Sequence, residues 1–280
     1  LETTGQYNTA LGYSALENQS GGTSNNTAVG FKAYEGVEGS TTGADNVAVG
    51  AYALQVNTTG TRLTAVGLGA LDANTTGDDN TAVGQNSQTR TTTGTANTSI
   101  GRESMDKNTT GSNNTTSNDN TAVGAYSMDA NTTGALNTAI GRYSLSANTT
   151  GQKNTAIGGN ALLSNVSGES NTAVGYNALD ANTASNNVAV GYHSMLTNTS
   201  GNTNTALGNE SLEANTTGSQ NVAIGYQALH ANTTGTFNTA CGRSSMFSNT
   251  TANNNVAYGK DSLYSNTTGT FNTAIGRGNL

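Results

Sequence analysis

Asn80-Thr81-Ala82-Val83-Gly84 decides how the whole chain is read, because its five-residue pattern occurs sixteen times. The pattern starts at Asn8, Asn26, Asn46, Leu63, Asn80, Asn97, Asn120, Asn137, Asn154, Asn171, Asn187, Asn204, Asn221, Asn238, Asn255 and Asn272. Eleven of the fifteen intervals are 17 residues, and the others are 16, 18, 20 and 23. A period this regular marks a repeat architecture, each unit stacking on its neighbours.

Number each unit from its first residue. The third position is Ala everywhere except Ser99, and the fourth is Val, Ile or Leu except at Cys241 and Tyr258. Position five is always Gly, position eight is Ala or Ser except at Asn279, and position nine is mostly Leu or Met, with Tyr34 and Gln88 departing. The rest of each unit is polar and rich in Asn-Thr-Thr-Gly. Helix is disfavoured, because Asn, Gly and β-branched Thr recur within every unit. The expectation is two short strands per unit, one near positions two to four and one near six to nine. Turns would fall at the Gly and at Asn-Thr-Thr-Gly. The fold class expected is all-β: a parallel β-solenoid, or β-roll, of about sixteen 17-residue coils over residues 1–280. At ~4.8 Å per coil it would be a rod on the order of 75 Å long.

Bulk composition agrees. The 280 residues include 36 Gly, no Pro and only 10% charged residues. Low charge with low hydrophobicity can signal disorder, but a disordered linker has no reason to keep an aliphatic residue every 17 positions. Absence of Pro fits a chain whose N–H groups are needed for a ladder. The net charge of −7 disfavours nucleic acid, and no apolar run reaches the roughly 20 residues of a membrane span. Cys241, the single cysteine, has no internal disulfide partner and is expected as a small buried hydrophobe. Leu1 to Gln6 reads as the second half of a repeat, so the sequence is expected to be a fragment of a longer fibre chain.

The invariant Gly points to positive φ or a close approach of neighbouring chain. The Asn and Thr columns point to side-chain ladders and turn hydrogen bonds, which need no ligand. About two large apolar groups per coil make a thin core against the entropy of ordering 17 residues. The Ala column beside Val suits close chain–chain approach. A homo-oligomer is therefore expected, most simply three chains around one axis.

Asn171-Thr172-Ala173-Val174-Gly175-Tyr176-Asn177-Ala178-Leu179 resembles the head repeat of the trimeric autotransporter adhesins, approximately Asn-Ser-Val-Ala-Ile-Gly-x-x-Ser/Ala. Asn187-Val188-Ala189-Val190-Gly191 and Asn221-Val222-Ala223-Ile224-Gly225 match it most closely, and the likeness covers all sixteen units. The units are also similar to repeats in tail fibres of some bacterial viruses. The resemblance implies a left-handed, trimeric parallel β-roll on an extracellular fibre, at a cell or virion surface, that contacts host surfaces or glycans. The family's coil is usually shorter, and Asn-Thr-Thr-Gly lengthens the outer turn here.

Departures from the repeat are the candidate sites. The 23-residue interval inserts a polar loop at about Asn108 to Asp119, and the 20-residue interval carries Glu35, Glu38 and Asp45. Both read as tolerated insertions, with a protruding binding loop as the functional alternative. Arg243, Lys260 and Arg277 share position six in three consecutive coils. They would stack as a basic ladder, either a solvated row or a site for an anionic sugar or surface. Acidic residues at position ten (Glu17, Asp72, Asp106, Asp129, Asp180, Glu213) read as spaced for solubility. Asn57, Asn74, Asn108, Asn131, Asn148, Asn215, Asn232, Asn249 and Asn266 satisfy the N-glycosylation pattern, although turn chemistry alone accounts for them.

Catalysis has little support. His193 and His230 sit in different unit positions, no Cys/His metal spacing exists, and Asp78-Asp79 is a lone pair at a turn. No cofactor is implied. The function expected is a structural fibre or adhesin rod without enzymatic activity. One alternative is an ice-binding solenoid, against which the adjacent Thr residues of Asn-Thr-Thr-Gly point to opposite faces. The other is a self-stacking filament with open ends.

Overall fold

The computed structural model describes residues 5–106 and 118–278 and forms two compact units, 1–137 and 138–280. Among the described residues there are sixteen strands of three residues each and no helix. The first unit carries β1 (Thr9–Leu11), β2 (Thr27–Val29), β3 (Val47–Val49), β4 (Thr64–Val66), β5 (Thr81–Val83), β6 (Thr98–Ile100) and β7 (Thr121–Val123). The second carries β8 (Thr138–Ile140), β9 (Thr155–Ile157), β10 (Thr172–Val174), β11 (Val188–Val190), β12 (Thr205–Leu207), β13 (Val222–Ile224), β14 (Thr239–Cys241), β15 (Val256–Tyr258) and β16 (Thr273–Ile275). Within each unit every strand pairs in parallel with its sequence neighbour. Equivalent positions face each other: Val83 lies opposite Ile100, and Ala223 opposite Ala240. This is the stacked solenoid that the period predicts.

Only one strand forms per coil. Among the described residues the second one expected near positions six to nine is absent, because positions seven and nine adopt left-handed backbone: His193 and Met195 have φ of 53° and 52°, Gln227 and Leu229 of 55° and 52°. The residue before each unit does the same, as at Gln220 (58°). Alternating the backbone hand turns successive N–H groups toward opposite neighbours. Gln227 N–H donates back to Asn209 O (3.1 Å), while Leu229 N–H donates forward to Ser245 O (2.9 Å). Left-handed backbone costs about 1–2 kcal/mol at a non-Gly residue. Burying a Leu side chain contributes about 1.5–3 kcal/mol, so Leu at position nine remains favourable there.

The core differs from the expected one. It consists of Ala at position three, Ala or Ser at eight and Leu or Met at nine, all inward-facing, as Ala223, Ala228 and Leu229 show at 0% exposed. The aliphatic residues of position four point outward with those of position two. Ile224 is 39% exposed. Strand alternation explains this: once Ala at three is inside, its neighbours on a flat three-residue strand are outside. Two expectations are corrected. The Ala column packs inside its own chain and is closed to a second one. Cys241, at position four, is half-buried on the outward face.

Two columns of buried Asn complete the interior. At position one, Asn221 Oδ1 accepts Asn238 N–H (3.0 Å), and its Nδ2 donates to Gly235 O (2.8 Å). At position twelve, Asn232 Nδ2 donates to Asn215 Oδ1 (2.8 Å) and to the same Gly235 O (3.1 Å). The outer turn is thus pinned from inside by two amides per coil, which satisfies polar groups that an apolar core could not. In the 20-residue coil Tyr34 takes position nine. Its hydroxyl donates to Gly43 O (3.0 Å) and accepts from Asn46 and Asn57 Nδ2, and burial pushes its pKa up to about 12.

Candidate functional site

Three surfaces stand out. The first is the outward strip of each sheet. Every residue at position two is Thr or Val, and none at position four is charged, in a chain with 27 charged side chains. The second unit repeats this over nine strands, β8 to β16, about 40 Å at the ~4.8 Å strand spacing.

The second surface is the basic ladder. Arg243, Lys260 and Arg277 are exposed on consecutive rungs: Asp261 N–H donates to Arg243 O (2.9 Å), and Gly278 N–H to Lys260 O (3.0 Å). Arg243 and Lys260 share an open hollow with Gln227, Ser244, Asp261 and Tyr264; Arg277 is not part of its lining. Lys260 Nζ lies 3.4 Å from Asp261 Oδ2, so one of the three cations has an acidic neighbour in its own coil.

The third was not legible as a site in the sequence. Glu213 lies between the two histidines. Its Oε2 is 2.7 Å from His230 Nε2 in the next coil, and its Oε1 is 3.4 Å from His193 Nδ1 in the preceding one. Ligand atoms of Glu210, Glu213 and His230 all lie within 4.8 Å of one another. The signal that could have found it is arithmetic. Glu213 and His230 are one 17-residue repeat apart, and His193 and Glu213 one repeat plus three residues.

The remaining candidates are structural in their contacts. The Asn57, Asn74, Asn131, Asn148, Asn215, Asn232 and Asn249 side chains are buried, and Asn266 is half-buried. Asn57, Asn148 and Asn266, for example, each donate Nδ2 to the Gly carbonyl three residues on. Asn108 lies outside the described residues, as does most of the insertion. The chain re-enters at Asn118, whose Oδ1 accepts Thr95 N–H (3.0 Å) like an ordinary outer turn. Glu35 accepts from Gln55 (2.8 Å) and pairs with Lys32 (2.9 Å), contacts that hold its carboxyl below the usual range. Asp79 is gripped by both arms of Arg62 (2.6 and 2.9 Å), and Asp78 caps Thr61 N–H (2.7 Å). Asp72 differs. Burial, with Asp106 nearby, raises its pKa to about 6, and it lines a shallow hollow with Asn86, Thr89, Arg90 and Asp106.

No protein-family model matches the chain, and no curated protein matches it.

Proposed function

We propose that this chain is a structural segment of an extracellular fibre. Three copies pack about one axis through the uncharged strip of positions two and four, and the charged columns present an attachment surface without catalysis. The observation that carries this reading is the strip. Monomers rarely expose contiguous apolar surface of several hundred Å². The same columns recur on every copy, so each copy offers its neighbours the same strip around a shared axis. Thr and Val at position two and aliphatics at position four leave no desolvated charge at such a contact. Surface attachment, at a host cell or glycan, falls to the exposed rungs of Arg243, Lys260 and Arg277, whose charge suits an anionic sugar.

Sedimentation equilibrium tests the assembly. The expected mass is three times the 28.2 kDa chain. Val190→Glu with Ile224→Glu is expected to return it to one chain with its β circular dichroism intact. A wild-type protein that sediments as one chain at all concentrations overturns the fibre reading.

The same strip favours one second reading. Regular Thr and aliphatic columns on one sheet face could order water as ice does, and they lie at positions two and four rather than in Asn-Thr-Thr-Gly. Thermal hysteresis of the wild type, abolished by Val190→Glu, would select that function over the fibre.

A further inference from the structure

We propose that Glu210, Glu213 and His230, with His193 as a fourth donor beside them, form a binding site for one divalent transition-metal ion of the zinc class. The solenoid builds this site by register. Glu210 and Glu213 flank Leu212, which is wholly buried, and left-handed backbone at Glu210 and Leu212 aims both carboxylates from one edge of the coil. Ala214 N–H donates to His230 O (3.0 Å), which stacks His230 directly beside Glu213. On the other side Glu210 N–H donates to Tyr192 O (2.8 Å), which brings His193 alongside.

The donors are held before any ion arrives. The His230 ring stacks on Phe247 at 4.9 Å and 12°, and His193 stacks on Tyr192 at 3.8 Å and 15°. Gln227 Nε2 donates to Glu210 Oε2 (2.7 Å), fixing that carboxylate and leaving its other oxygen for a ligand. All three first ligands are half-buried. Two carboxylates carry two negative charges in a space under 5 Å across; a divalent cation neutralises both, and the imidazole selects a transition ion over calcium or magnesium. The ion would sit between His230 Nε2 and Glu213 Oε2, which lie 2.7 Å apart before it arrives. Zinc takes bond lengths of about 2.0–2.2 Å to N and O, so donor atoms within 4.8 Å of one another can share one ion. His193 Nδ1, 3.4 Å from Glu213 Oε1, stands beside this set as the fourth donor. Because the ligands come from three consecutive coils, the ion would staple the solenoid together.

The test is zinc titration of the full chain without a histidine tag, followed by calorimetry and by metal content after dialysis. One Zn²⁺ per chain is expected. Glu213→Gln and His230→Gln are each expected to weaken binding at least tenfold, while Glu169→Gln, in a distant outer turn, leaves it unchanged. Saturating Zn²⁺ should raise the melting temperature of the wild type and not of His230→Gln. Absence of bound zinc, or unchanged affinity in both site variants, overturns the proposal. Should either variant fail to fold, Co²⁺-loaded wild type decides: shifted imidazole N–H resonances support the site, and their absence overturns it.

Discussion

A Cβ placed on Gly175 would stand 2.4 Å from the carbonyl oxygen of Gly191, the equivalent residue one coil further on. Gly175 also has φ of +139°, a conformation that L side chains rarely adopt. Both reasons that the sequence offered for an invariant Gly therefore act together at one position. Gly175→Ala is expected to destabilise the second unit by at least about 3 kcal/mol, because strain and clash coincide and the clashing atom is backbone. Thermal unfolding measures it, and a loss under about 1 kcal/mol would show that the coils can separate cheaply.

Leu179 (φ 53°) is buried in left-handed backbone. Position nine carries Leu, Met, Tyr or Gln and never a β-branched residue. A Leu→Ile swap in a core usually costs under about 1.5 kcal/mol; here branching at Cβ meets left-handed backbone, and the expected cost is about 2–4 kcal/mol. Leu179→Met should be nearly neutral, since Met195 fills the same place in the next coil. Denaturant midpoints of the two variants should differ clearly, and equal midpoints would remove the backbone explanation.

The Asn column at position twelve breaks at Thr91. Asn74 Oδ1, which would accept from an Asn there, is buried without a partner, as is Gln88 Oε1 at position nine. Thr91→Asn supplies the missing donor, and Gln88→Leu removes an orphaned acceptor. Each is expected to stabilise the first unit by about 1–2 kcal/mol, read as a higher urea midpoint with unchanged slope. Destabilisation by both would mean that these oxygens are already satisfied in solution.

Asp72 links stability to pH. Burial is the main cause of its raised pKa, with Asp106 adding to it. The folded value of about 6 lies above the ordinary 3.8, so the folded chain holds this proton more tightly than the unfolded one. The resulting stability is fully present below about pH 4 and is lost as pH rises through 6. Above that, ionised Asp72 is a liability on the order of 1 kcal/mol after allowance for solvent screening. Asp72→Asn should therefore be more stable than wild type at pH 7, with the gain vanishing near pH 4. A gain of equal size at both pH values would assign the effect to packing.

The buried sequon asparagines predict an intact mass. Their Nδ2 groups donate to inner carbonyls, as Asn215 does to Gly218 O (2.9 Å), so a sugar on them would replace an inward hydrogen bond. Folded protein from a glycosylating host is expected to carry bare asparagine at Asn57, Asn74, Asn131, Asn148, Asn215, Asn232 and Asn249. Peptide mapping that found these sites occupied in folded material would refute the inward assignment.

Period, register and the role of the invariant Gly were legible in the residues alone, because a stacked coil imposes one constraint per position and repeats it many times. Val83 opposite Ile100 follows from counting. The side of the strand that faces inward was not legible. Both Ala82 and Val83 are apolar, and a three-residue strand is too short for alternation to choose between them; the coil's small cross-section decides, admitting Ala and sending Val outward. Left-handed backbone at position nine did leave a trace, the missing β-branched residues, but that trace is equally what a partly helical preference would leave. The Glu213–His230 cluster depends on tertiary structure for a different reason. The 17-residue count places Glu213 beside His230, but that Glu210 joins them depends on the left-handed backbone at Glu210 and Leu212, which no repeat position marks.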